Sequence, residues 1–140
     1  MTAKAGRTTE VPRREARVLV AKAREFLAAA QAAAENDHHD AALLNAVHAG
    51  IAASDAVCVA LLGRRSSDPD HQRAVDLLEN VAELEPEARI RARQLRSLIA
   101  KKNFVAYEAR RATAAEARDG LARAIRFLAW TDEALLRAKV

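Results

Sequence analysis

The chain reads as an all-α protein, a five-helix antiparallel bundle. Every stretch between turn-forming residues repeats its apolar positions at the helical period, and none sustains the alternation of a strand. Aromatic residues make up only 4% of a chain that is 51% hydrophobic, so the core must come from closely spaced Ala, Leu, Val and Ile contacts and no sheet is expected. At 140 residues it is long enough to bury such a core as one domain without disulfides or a structural metal.

Residues 1–10 are small and polar and predict a disordered arm ahead of a helical domain over 11–140. Pro12 suits a first helical turn, and Val18, Ala21, Phe26, Leu27 and Ala28 supply the stripe of a helix over 12–36. The run Asn36-Asp37-His38-His39-Asp40 stops it and caps the next helix. These are metal-ligand residue types, but neighbours on a turn point apart, and no metal or cofactor is expected. A second helix over 38–62 ends at Gly63, which tolerates the left-handed conformation of a helix stop, and forms a hairpin with the first.

Ser67 or Asp68 can cap a short helix over 69–83 that starts at Pro69 and carries Val75, Leu78 and Val81. Pro86 restarts helical sequence over 86–102, with Ala88, Ala92, Leu95, Leu98, Ile99 and Lys102 in register. Asn103 to Glu108 breaks that register. Thr113-Ala114-Ala115-Glu116 is a capping box and opens the last helix, over 113–137. Ala117, Leu121, Ala124, Ile125 and Leu128 form its buried face, with Phe127 and Trp130 at the flanks.

Cys58, the single cysteine, sits in an apolar run and cannot form an intrachain disulfide. The longest apolar run, Ala56 to Leu62, is too short to cross a bilayer, and the N-terminal residues lack the apolar region of a signal peptide, so a cytoplasmic protein without membrane contact is expected. The net charge of +4 is uneven: residues 1–86 sum to −3 and residues 87–140 to +7. The basic half, with RIRARQLR and Lys101-Lys102, is either a solvated helix face or a footprint for phosphate. It lacks the interleaved aromatics of a single-strand stacking platform.

The second helix holds the most informative polar set. Leu43, Val47, Gly50, Val57, Cys58 and Leu61 share a face with Ser54, while His48 and Asp55 lie along one edge and Asn45 one turn earlier. The plain reading has Ser54 bonding a carbonyl, Asp55 pairing with a basic neighbour and His48 filling a gap. The functional reading brings Asn45, His48 and Asp55 together with Lys102, Asn103 and Tyr107 from the junction before the last helix. Tyr107 has a plain reading too, as a core residue with its hydroxyl on a carbonyl.

From about residue 14 to residue 131 the order and spacing of these segments resemble the HEPN family of small helical domains. The resemblance rests on NAVHAGIAASDAVCVALLG, on the Asp70-His71 start of the third helix, and on LRSLIAKKNFVAYEARRATAAEARDGLARAIRFL with its capping box at the start of the last helix. Ribonuclease members of that family use an Arg and a His four to six residues apart. Here Lys102 stands where the Arg would be, and neither Ala106 nor Tyr107 can replace the His as a base at neutral pH. Lysine still neutralises phosphate as a point charge.

The resemblance therefore implies a non-catalytic module for nucleotide, RNA or a nucleotidyltransferase-fold protein, as in toxin–antitoxin or defence pairs. In some relatives such a partner modifies a nearby tyrosine, which would be Tyr107. Two alternatives stand beside it: a metal-independent ribonuclease using His48 or His71, and a purely structural dimerisation bundle. A homodimer is expected in the family manner, because Trp130, Phe127 and Leu136 are too widely spread around the last helix for one monomer to cover.

Overall fold

A computed structural model describes residues 6–140. Its elements run β1 (Thr8–Glu10), a 3₁₀ turn (Arg13–Glu15), α1 (Ala16–Glu35), α2 (His39–Leu62), β2 (Arg64–Ser66), α3 (His71–Glu79), α4 (Ala88–Tyr107) and α5 (Ala114–Arg137). The fold is all-α, with five helices around one core.

The central helix is α2, which packs against all four other helices. Ala42, Leu43, Ala46, Val47, Ala49, Gly50, Ala52, Ala53, Ser54 and the run Ala56 to Ala60 are all buried, so no broad face is left for solvent. Small side chains permit this. A Cβ on Gly50 would stand 2.8 Å from Cδ1 of Leu95, so glycine here lets α4 lie close on α2. By length and composition α2 also resembles a membrane span, with a mean hydropathy of 1.5, but 78% of that window is buried inside the bundle. Such apolarity all round is what a core helix needs.

Alanine richness also hid the stripe of α1. Its buried residues are Ala16, Val20, Ala23 and Ala30, whereas Val18, Ala21 and Ala28 are exposed and Phe26 sits at the boundary. Of the expected stripe only Leu27, partly buried against the core, lies on the true one, because alanine on both faces leaves little hydrophobic contrast.

The expectation of no sheet is corrected by a short ribbon. β1 pairs antiparallel with β2, with Thr9 opposite Arg65, and the pairing is extended by Val11 N–H to the Gly63 carbonyl and Ser67 N–H to the Arg7 carbonyl. Gly63, at φ +70°, turns the chain back after α2 and delivers β2 to the arm. The expected loose arm is thus a strand over Thr8–Glu10; residues 1–5 lie outside the described residues. Three-residue strands carry no period that a sequence reading can detect.

Helix boundaries moved for local reasons. Asp70, not Ser67 or Asp68, caps α3, its side chain accepting from Gln72 N–H at 2.9 Å, while Asp68 accepts from Asp70 N–H. After Glu79 the chain continues in tight turns, Val81 to Leu78 and Ala82 to Glu79, that bury Val81 without α-helix. α4 runs on to Tyr107 because Val105 continues the stripe of Leu98 and Ile99. Ala109 then stops it at φ +50°, with Arg110 N–H reaching back to the Val105 carbonyl. The capping box opens α5 as expected, Thr113 Oγ1 accepting from Glu116 N–H and Glu116 from Thr113 N–H.

Phe127 and Trp130 are not flanking residues. They meet edge-on at 5.5 Å inside the core, with Trp130 1% exposed, while Ile125 is largely exposed. The residues offered as an uncovered apolar surface therefore reduce to Leu136, at 74% exposure, and the argument they made for a dimer falls away.

Candidate functional site

Between the N-terminal half of α2 and the C-terminal end of α4 lies a groove of about 350 Å³. Leu43, Leu44, Val105, Ala106 and Ala109 form its walls, and Asp40, Lys102 and Arg110 its polar rim. The left-handed stop at Ala109 ends α4 and carries the chain round to Arg110, which closes the groove at that side.

Most rim charges are already satisfied. Asp40 accepts from Ala112 N–H at 2.6 Å and from Arg111 at 3.2 Å, and the first of these contacts holds its carboxyl below its ordinary range. Arg110 makes a two-pronged pair with Glu116 at 2.9 and 2.8 Å and lies over the Phe104 ring at 5.5 Å. Arg110 and the Thr113 N–H together drive Glu116 far below the usual carboxylate range. Lys102 differs. It lines the groove and makes no ion pair among the described residues, which leaves one free cation beside an apolar wall.

Lys102 also lies close to an imidazole pair. The rings of His48 and His71 are 6.3 Å apart and nearly perpendicular, and Phe26 of α1 covers His48 at 5.4 Å. Burial first, then the neighbouring His71 and Lys102, lowers the pKa of His48, so its neutral form is favoured at pH 7.

Of the six residues singled out by sequence, Lys102 lines the groove and His48 lies within reach of its charge. The others are dispersed. Asn45 donates to the Ala41 carbonyl of its own helix at 2.9 Å. Asn103 is half-buried on α4 but does not line the groove. Tyr107 is 89% exposed, which corrects its reading as a core tyrosine. Asp55 lies two turns beyond His48, roughly 10 Å along α2. Burial pushes its pKa up to about 7, opposed by Arg65, with which it forms no ion pair. Ser54 does not bond a carbonyl: its buried hydroxyl has the Cys58 thiol, one turn on, as its polar neighbour.

Sequence reasoning missed the groove walls and the pairing of His48 with His71. Leu43-Leu44 carried a signal, since two adjacent leucines cannot both face one core, and Leu44 is the one left 40% exposed. Among the described residues no group of three His, Cys, Asp or Glu side chains is arranged to hold a metal ion. No family model, curated protein or solved structure matches this chain.

Proposed function

We propose that this protein is a HEPN-like, non-catalytic module that binds a nucleotide or an RNA end in the groove between α2 and α4. The observation that carries the reading is the unpaired Lys102 beside an apolar groove of about 350 Å³. Small-ligand sites span about 300–1,000 Å³ and combine apolar walls with a few placed polar groups. A base would lie against Leu43, Leu44, Val105 and Ala106, and Lys102 would meet the phosphate as a point charge. The resemblance to HEPN domains supports the same ligand class and adds a nucleotidyltransferase-fold protein as partner. Tyr107, 89% exposed, is open to modification by such a partner. Titration of the protein with a 5′-mononucleotide, with and without Lys102, tests the reading.

A second reading has a specific observation behind it. His48 and His71 form a juxtaposed imidazole pair close to Lys102, a set that can in principle move protons at a 2′-hydroxyl and neutralise a phosphate. RNA cleavage without added metal, abolished by His48→Ala or His71→Ala, would select this reading over simple binding.

A further inference from the structure

At the opposite end of α2 the structure holds a second, differently built concavity. Arg13, Arg14, Arg17 and Lys139, with Ala138 and Val140, line a pocket of about 370 Å³, and among the described residues no acidic side chain lines it. Arg13 is anchored to the Ala60 carbonyl, 16 residues beyond Leu44 and so about 24 Å along the helix from the groove.

Two features show that these cations are held rather than scattered. Arg13 donates its Nε to Ala60 at 2.6 Å and Arg17 donates to the main-chain oxygen of Val140, so both guanidinium groups are oriented while keeping further N–H donors free. Lys139 is placed by the end of α5. It adopts φ +59°, its N–H reaches the Leu136 carbonyl, and Val140 N–H reaches the Leu135 carbonyl at 3.1 Å while Val140 packs on the core. Glycine is the usual residue at such a left-handed stop. Here a lysine occupies it, and the turn brings its side chain to Arg13 and Arg14 of the 3₁₀ turn and Arg17 at the start of α1.

We propose that this concavity is an anion site for clustered phosphate groups. Three guanidinium groups and one ammonium face a single space; the main-chain carboxyl oxygen of Val140, which Arg17 holds, is the one opposing group there, so the cations stay in excess. Guanidinium forks match the oxygens of phosphate, and donors already fixed by main-chain contacts lose little freedom on binding. A free polyphosphate chain and the backbone of a nucleic acid offer the same chemistry.

The test uses the full chain and two probes, inorganic tripolyphosphate and a ten-nucleotide RNA, followed by calorimetry at constant salt. The variant Arg14→Gln/Lys139→Gly removes two exposed charges and leaves the main-chain anchors of Arg13 and Arg17 in place. Glycine suits the φ of position 139, so this variant keeps its thermal melt. The expected result is at least a tenfold loss of affinity for the probe that the wild type binds. Loss of tripolyphosphate binding assigns a free polyphosphate; loss of RNA binding alone, with no affinity for tripolyphosphate, assigns a nucleic-acid backbone. The control Arg89→Ala/Arg93→Ala takes the same charge from α4. Equal weakening by the control, or no binding of either probe to the wild type, overturns the proposal.

Discussion

His71, the first residue of α3, meets His48 of α2 edge-on, their ring centroids 6.3 Å apart and their planes at 80°. With Phe26 on the other side of His48, this contact ties three helices together next to Lys102. Burial, then the neighbouring His71 and Lys102, disfavours the charged imidazole and lowers the His48 pKa from its ordinary 6.5. Lys102→Gln removes one of those neighbours and should raise the His48 midpoint. Proton NMR titration of the histidine ring signals reads this directly; an unchanged midpoint would show that Lys102 does not lie near His48.

Asp55 sets a pH dependence of the opposite sense. Its folded pKa of about 7 lies above its ordinary value of 3.8 because the carboxyl is buried. The folded state therefore holds a proton that the unfolded state releases, and the stability this contributes is complete below about pH 4 and lost as pH rises through 7. The difference between the two values corresponds to up to about 4 kcal/mol. His48, with a depressed pKa, works in the other direction on acidification. Comparing Asp55→Asn with the wild type cancels the His48 contribution. The variant should gain on the wild type between pH 5 and pH 8 in urea denaturation, and parallel curves across that range would count against a half-buried Asp55 without an ion pair.

Glu85 is 8% exposed in the turn between α3 and α4, and Arg137 of α5 clasps it at 2.9 and 2.6 Å. Arg137→Ala leaves that carboxylate buried without its cation, which should cost about 1–3 kcal/mol. Thr113→Ala, which removes the α5 cap, should cost about 1 kcal/mol. Chemical denaturation measures both, and a loss from Thr113→Ala larger than that from Arg137→Ala would contradict the ranking.

Those two variants also mark what the sequence made legible. The Thr113–Glu116 cap was readable because its chemistry is local, four residues whose side chains satisfy one another. The Glu85–Arg137 clasp spans 52 residues and no local pattern announces it. Likewise the leucine-bearing stripe of α4 was legible from Leu95, Leu98 and Ile99, whereas α1 was misread because alanine lies on both its faces. Lys102 was singled out at the junction before the last helix, where the family resemblance has an arginine. The groove beside it arises from the pairing of α2 with α4 and from the left-handed stop at Ala109, neither of which a linear pattern encodes.

That stop gives a prediction of its own. A left-handed conformation costs a non-glycine residue about 1–2 kcal/mol, and glycine gives back part of this through its freer unfolded chain. Ala109→Gly, at φ +50°, should raise stability by about 0.5–1 kcal/mol. A thermal melt lowered by the substitution would mean that Ala109 does not end α4 in this way.

The groove itself is tested most directly by calorimetric titration of a 5′-mononucleotide into the wild type, Lys102→Ala and Lys102→Arg, each at two salt concentrations. The wild type should bind. Lys102→Ala should bind about tenfold more weakly, roughly 1.4 kcal/mol, with a shallower dependence on salt, because one phosphate contact is gone. Lys102→Arg should retain affinity. A wild type that does not bind, or a Lys102→Ala variant that binds as well as the wild type, would contradict a phosphate contact at Lys102 and the nucleotide reading of the groove.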